Sequence, residues 1–206
     1  MTECDHQVLV LDDDPSILNG IRRLLNAHGL CVRLHSAAED FFNAGLPPVP
    51  CCLLLDNKLG GGMSGLQVHA EVIRRGWFIP TVFLTAHWNV QSVVNAMRAG
   101  ADGFLTKPFD PTELIEVVNG ALERSRARHQ SQNITSDAKA KAATLTERER
   151  EVVQLVVAGM LNKEIAAKLG LALVTVKVHR GRAMRKLGAG NPAELARIAT
   201  QAGIVD

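Results

Sequence analysis

Four short apolar runs in the first 106 residues of the chain each end in residues able to do chemistry. Val8-Leu9-Val10-Leu11 runs into Asp12-Asp13-Asp14, Leu53-Leu54-Leu55 into Asp56, Val82-Phe83-Leu84 into Thr85, and Phe104-Leu105-Thr106 into Lys107. If these runs are strands of one open parallel sheet, the residues meet at its carboxyl edge, where diverging loops leave a crevice. Carboxylates gathered there repel one another unless they share a cation. Their hard oxygens suit Mg²⁺, which binds through one or two carboxylates and keeps several waters. An aspartate beside Mg²⁺, a hydroxyl and a lysine can attack phosphorus to form an aspartyl phosphate. The metal and ammonium then neutralise the transferred oxygens while the hydroxyl donates a hydrogen bond. Asp56, alone on a central run, is the expected nucleophile, and Asp12 and Asp13 are better placed to hold the metal. Capping of the following helices would serve any one of these aspartates, but it does not account for the whole set.

The elements that must position this set follow the same pattern. Short apolar runs alternate with longer amphipathic ones, as a parallel sheet with crossover helices requires. Strands are expected over 8–11, 31–34, 51–55, 81–84 and 103–105. Helices are expected over 15–28, 37–44, 66–75, 90–99 and from 112 to about 126, with Pro15 opening the first and Gly29 stopping it. With 206 residues, 47% apolar and 21% charged, the chain has an ordinary globular composition and room for one large domain or two small ones. Collagen, disordered tails and disulfide miniproteins are excluded. No apolar stretch approaches the roughly 18 residues of a membrane span. Glu3, Asp5 and His6 stand where a signal peptide would carry lysines and an apolar run. A cytoplasmic protein with no membrane partner is the expectation. Cys4, Cys31, Cys51 and Cys52 form no C-x-x-C pair, and Cys51 and Cys52 would face opposite sides of a strand, so all four read as small buried hydrophobes with reduced thiols.

Charge divides the chain in two. Residues 1–138 hold 11 Lys or Arg against 15 Asp or Glu, net −4, and residues 139–206 hold 12 against 6, net +6. A small basic domain is the electrostatic footprint of a nucleic-acid binder, because its cations displace the counterions condensed on phosphates. Between the halves, residues 126–143 are rich in Arg, Gln, Ser, Lys and Ala and read as a linker, helical at its start. The basic half shows four helical segments and no strand. Thr146 and Glu149 form a capping box at the first, Gly170 closes the second, the third runs from about 173 to 187, and Pro192 opens the fourth, which ends at Gly203.

The set Asp12-Asp13, Asp56, Thr85-Ala86 and Lys107-Pro108-Phe109 resembles the receiver domain of bacterial two-component response regulators, over residues 1–125. The resemblance implies an α/β flavodoxin-like fold with a five-stranded parallel sheet and phosphorylation of Asp56 by a sensor histidine kinase. It also implies Mg²⁺ held by Asp13, Asp56 and the Lys58 carbonyl with Asp12 in support, Thr85 and Lys107 on the phosphoryl group, and a switch aromatic at Phe104. Lacking a phenolic hydroxyl, Phe104 would report phosphorylation only by changing its burial. One departure is the loop after Asp56, which reads Asn57-Lys58-Leu59-Gly60-Gly61-Gly62-Met63-Ser64-Gly65. The family's proline is missing and the loop is one residue longer. Three glycines raise its backbone entropy, so weakened metal binding or ordering only on phosphorylation is expected. His87 either tunes the lifetime of the phosphoryl group or, with Trp88, only shapes the rim.

The stretches Leu145-Thr146-Glu147-Arg148-Glu149, Asn162-Lys163-Glu164-Ile165-Ala166 and Thr175-Val176-Lys177-Val178-His179-Arg180 are similar to the LuxR-type helix-turn-helix, over residues 144–206. Joined to a receiver, they place the chain with the NarL/FixJ subfamily, closest to its FixJ-like members. The third helix is expected in a major groove about 12 Å wide. Val174, Val178 and Met184 or Leu187 would help to hold the core. Lys177 would reach base edges with Val178 and Gly181 close by and Thr175 beside them, and Arg180, Arg182, Arg185 and Lys186 would grip phosphates. Ala172 stands where such domains carry a capping serine. The resemblance implies promoter DNA and RNA polymerase as partners and a homodimer formed on activation through the altered surface of the last receiver strand and its flanking helices, with residues 192–203 as the dimer contact of the DNA-binding half. Two other readings stay open. One is a DNA-binding regulator whose receiver does not use phosphorylation. The other is an aspartyl-phosphate phosphatase or phosphotransferase, which would want a second acid where Lys58 stands.

Overall fold

The computed structural model describes residues 4–60, 62–86, 96–98 and 100–205, and they divide into two compact units, residues 1–129 and 130–206. In the first unit β1 (Gln7–Leu11), β2 (Val32–His35), β3 (Cys51–Asp56), β4 (Thr81–Thr85) and β5 (Gly103–Thr106) form a parallel sheet in the order β2-β1-β3-β4-β5. Single crossovers connect them through α1 (Pro15–Ala27), α2 (Ala38–Ala44) and α3 (Gly65–Arg74). This is the doubly wound order expected of a flavodoxin-like domain. The helix expected over 90–99 lies mostly outside the described residues, of which 96–98 are helical, and His87 and Trp88 lie outside them too.

The period-two alternation of the strands sends their side chains into two cores. Val8, Val10, Cys52, Leu54, Val82 and Leu84 pack with α1 and with Leu114, Val118 and Leu122 of α4 (Pro111–Ala143). Leu9, Leu11, Cys51, Leu53, Leu55 and Phe83 pack with Phe41 of α2 and with Val68 and Val72 of α3. Adjacent Cys51 and Cys52 therefore enter different cores, as the alternation requires, and both are free thiols. Burial pushes Cys51 up to about 11 and Cys52 higher still. Cys4 and Cys31 correct the expectation of four buried thiols, since a disulfide joins them. Cys31 precedes the edge strand β2, and its carbonyl accepts from the Val8 amide, so the chain entering β1 runs beside it at the margin of the sheet and not in a core.

α4 is longer than its sequence pattern indicates. The stretch 126–143, expected as a linker helical only at its start, is helical to Ala143. Ser125, buried in the middle of α4, accepts from the Cys51 amide at 2.9 Å. Beyond it the residues are mostly exposed, including Ile134 at 42%, so no apolar stripe marked this part of the helix. The second unit adds α5 (Glu147–Val157), α6 (Asn162–Leu169), α7 (Leu173–Leu187) and α8 (Pro192–Gln201). Ala138, Ala142, Val153, Ala183, Leu187, Leu195 and Ala199 form one core, and Val152, Ile165 and Val176 form another. Among the described residues no helix is long and apolar enough to cross a membrane.

Candidate functional site

Strand register alone gathers the candidate residues. Leu11 lies opposite Leu55, which sets Asp12 beside Asp56, the last residue of β3. Asp56 pairs with Leu84, so Thr85 follows one step on, and Thr85 pairs with Thr106, the residue before Lys107. The Lys107 amide closes this edge by donating to the Thr85 carbonyl at 2.7 Å. The result is a cleft of about 520 Å³ lined by Asp12, Asp13, Asp56, Lys58, Thr85 and Lys107, among others.

Lys107 organises the cleft. Its Nζ donates to Asp12 Oδ2 at 2.5 Å and to Asp56 Oδ1 at 2.6 Å. Burial opposes its charge, but the two carboxylates outweigh burial and hold the ammonium above the usual lysine range. At Asp56 the balance is reversed, and burial lifts the carboxyl above the usual aspartate range despite Lys107. Asp12 is almost wholly enclosed and accepts the Asp14 amide at 3.0 Å. Asp14 takes the capping role open to any of these aspartates, accepting the Ser16 amide at the start of α1.

The glycine-rich loop is tied to the rim at its described residues. The Lys58 amide donates to Asp56 Oδ2 at 2.7 Å, the Gly60 amide to Asp13 Oδ2 at 3.0 Å, and the Gly65 amide to the Asn57 carbonyl at 3.1 Å. A Cβ at Gly65 would lie 2.3 Å from the Asp56 carbonyl oxygen and 2.9 Å from Asn57 Cα. Both are backbone atoms, which cannot swing aside. Gly65→Ala is therefore expected to destabilise the first unit by about 1–3 kcal/mol, the usual cost of overpacking, and to displace Asp56. Thermal melts check this. Gly60 differs, because a Cβ there would meet only the end of the Asp13 side chain, at 2.5 Å.

Phe104 is half-buried beside Phe83 on the neighbouring strand and packs on the core formed with α2 and α3.

In the second unit α6 and α7 are joined through Gly170, which adopts the left-handed conformation that ends α6. Ala172, the N-cap residue before α7, makes no side-chain cap, the omission expected from its sequence. Val176, Ala183 and Leu187 are the buried residues of α7. This corrects the expectation that Val174 and Val178 help hold the core: they are 66% and 44% exposed. The inward face is set by Val176, whose helical partners lie seven and eleven residues on, and two valines flanking it in the sequence concealed which of the three faces inward.

Lys177, Gly181, Arg182 and Arg185 are exposed, and Thr175 is half-buried. Arg180 donates to Asn162 Oδ1 at 3.0 Å and so binds α7 to α6. Lys186 bonds Glu149 Oε2 at 2.6 Å and the Thr144 carbonyl at 2.9 Å.

A family model described as "Response regulator receiver domain" matches residues 8–119, and one described as "Bacterial regulatory proteins, luxR family" matches residues 143–199. The transcriptional regulatory protein FixJ of Rhizobium meliloti is 35% identical over 199 residues, 97% of each chain. The chain belongs to the NarL/FixJ subfamily of response regulators. Nodulation protein W of Bradyrhizobium diazoefficiens is 39% identical over 197 residues, 96% of this chain and 86% of that one. Among solved structures, the response regulator StyR superposes with a TM-score of 0.88 at 36% identity, covering 96% of this chain and all of that one. Full-length FixJ from B. japonicum gives a TM-score of 0.57 at 30% identity, covering 97% of this chain and 98% of that one.

This response regulator is thus a DNA-binding transcriptional regulator of the two-component type. Sequence reasoning missed Gly60 and Gly65 as contact glycines, and it missed the Asn162–Arg180 and Glu149–Lys186 links. Only close approach in space reveals these features. The Thr146–Glu149 box was legible as a cap, but Lys186 lies 37 residues from Glu149 with no local signal.

Proposed function

We propose that Asp56 accepts a phosphoryl group from a sensor histidine kinase. The observation that carries this reading is the double contact of Lys107 with Asp12 and Asp56 at the carboxyl edge of the sheet. A carboxylate oxygen of Asp56 bonds to phosphorus as the donor's P–N bond breaks, its electron pair leaving with the imidazole. Lys107, already beside Asp56, follows the charge to the phosphoryl oxygens, and the Thr85 hydroxyl donates to another of them. The cleft residues fit a divalent ion: Asp12, Asp13, Asp14 and Asp56 stand against Lys58 and Lys107, net −2. Asp13, Asp56 and the Lys58 carbonyl would hold Mg²⁺ with Asp12 in support, and few protein ligands suffice because Mg²⁺ keeps several waters. When bound, it supplies further neutralisation of the transferred oxygens.

Phosphorylation shifts the receiver toward a state in which Phe104 is packed differently and a homodimer forms, with α8 as the contact between DNA-binding units. The dimer presents two copies of α7 to promoter half-sites, in a cytoplasmic setting where RNA polymerase is a further partner. Thr175, Lys177, Val178 and Gly181 face bases while Arg182 and Arg185 hold phosphates. Arg180 and Lys186 serve the phosphate face only as far as their bonds to Asn162 and Glu149 allow.

Beryllofluoride titration with Mg²⁺, followed by size-exclusion chromatography, tests the switch. A change of association state is expected, and an unchanged profile and spectrum would favour a receiver that does not use phosphorylation. On DNA, Arg182→Ala is expected to lower the slope of log affinity against log salt by about one and to weaken all sequences alike. Lys177→Ala is expected to cost about 1–3 kcal/mol on the preferred site only. Titrations at several salt concentrations, on selected and random duplexes, separate the two effects.

A further inference from the structure

We propose that Val174, Val178 and Gly181 form a methyl-reading stripe on α7 that contacts thymine C5-methyl groups in the major groove; this rests on the reading of α7 as the recognition helix. At 3.6 residues per turn, positions 174, 178 and 181 fall on one line of the helix, opposite the buried Val176, Ala183 and Leu187. The same wheel puts Lys177 on one flank, Arg182 on the other and Arg185 at the far end of the line, all three exposed.

Among the described residues, neither helix stability nor core packing accounts for these residue types. Val174 is 66% exposed and Val178 44%, and exposed β-branched residues are weaker helix formers than Ala, Leu or Lys. Gly181 is in the helix interior, where glycine is unfavourable, yet a Cβ built there meets no atom within 4 Å. Three neighbouring positions thus forgo helix stability for little return in packing, since none of them is among the buried residues of the helix. An outside surface that comes very close at Gly181 and is apolar at the valines supplies the missing reason. Cations on both flanks select a polyanion over a protein groove. On the floor of the major groove the apolar group on display is the thymine methyl.

The test uses the full-length chain and a duplex selected by it from a randomised library, with each thymine replaced in turn by uracil. For the unaltered chain, at least one replacement is expected to weaken binding about fourfold, the value of one buried methylene-sized group. V174A/V178A should bind thymine and uracil versions alike. G181A should keep or raise the melting temperature while losing affinity for the selected duplex. If the unaltered chain prefers its selected duplex yet is indifferent to uracil at every position, the stripe is refuted and α7 remains a recognition helix. If no duplex is preferred over bulk DNA, both readings fall.

Discussion

Asp56→Asn is expected to abolish labelling by acetyl phosphate, with no residual incorporation at this position. The carboxylate is buried at the end of β3, accepts the Lys58 amide through Oδ2 and meets Lys107 through Oδ1. An amide preserves this shape, and its oxygen still accepts a hydrogen bond, but it carries no anionic oxygen to attack phosphorus. Asp12→Asn and Asp13→Asn should behave differently, because each leaves the nucleophile in place and is expected to slow labelling without ending it. Intact-mass spectrometry after incubation with acetyl phosphate reads all three. Undiminished labelling of D56N would move the phosphoacceptor elsewhere and with it the whole assignment of the cleft. The loss should extend to kinase-dependent DNA binding, while basal binding persists, because the helix-turn-helix has its own cores.

Glu149→Ala is expected to destabilise the DNA-binding unit by about 2 kcal/mol. Loss of a capping partner costs about 1 kcal/mol, and a broken hydrogen bond to a charged group adds a similar amount. The carboxylate is 3% exposed, accepts the Thr146 amide at 2.9 Å and takes Lys186 at 2.6 Å. Lys186 is 34% exposed and can turn to water once its partner is gone, so the cost stays below that of breaking a fully buried pair. Glu149→Gln keeps an acceptor for the cap and loses the charge, so it should fall between the two. The carboxyl also predicts an acid limb. Burial tends to raise its pKa, but Lys186 and the Thr146 bonds prevail and hold it below the usual glutamate range. A group whose pKa is lower folded than unfolded contributes its full stability above about pH 4.3, the ordinary glutamate value. That contribution is lost as pH falls through the lower folded value. Melting curves at neutral and acid pH should therefore converge for E149A and the unaltered chain as acidity increases.

The strands and the edge at which they end were legible because two simple codes overlap there. Apolar runs mark buried parallel strands, and the residue types that follow them are too polar to continue inward. Once Leu11 pairs with Leu55 and Leu55 is followed by Asp56, the cleft is a matter of register. What could not be read depends on space and not on order. The Cys4–Cys31 bond brings together positions 27 residues apart. The helix through 126–143 has few buried partners to imprint a period on it. On α7, Val174, Val176 and Val178 look alike in sequence, and only packing against α5 and α6 singles out the middle one.

The two thiols that open β3 have a practical use. Cys51 and Cys52 sit side by side, reach into opposite cores and are kept protonated by burial, so alkylating reagents should ignore both in the native state. Each can react only when its own layer lifts from the sheet. Peptide mapping after a short pulse of iodoacetamide would thus time the peeling of either side separately, giving the domain an internal pair of clocks for local opening.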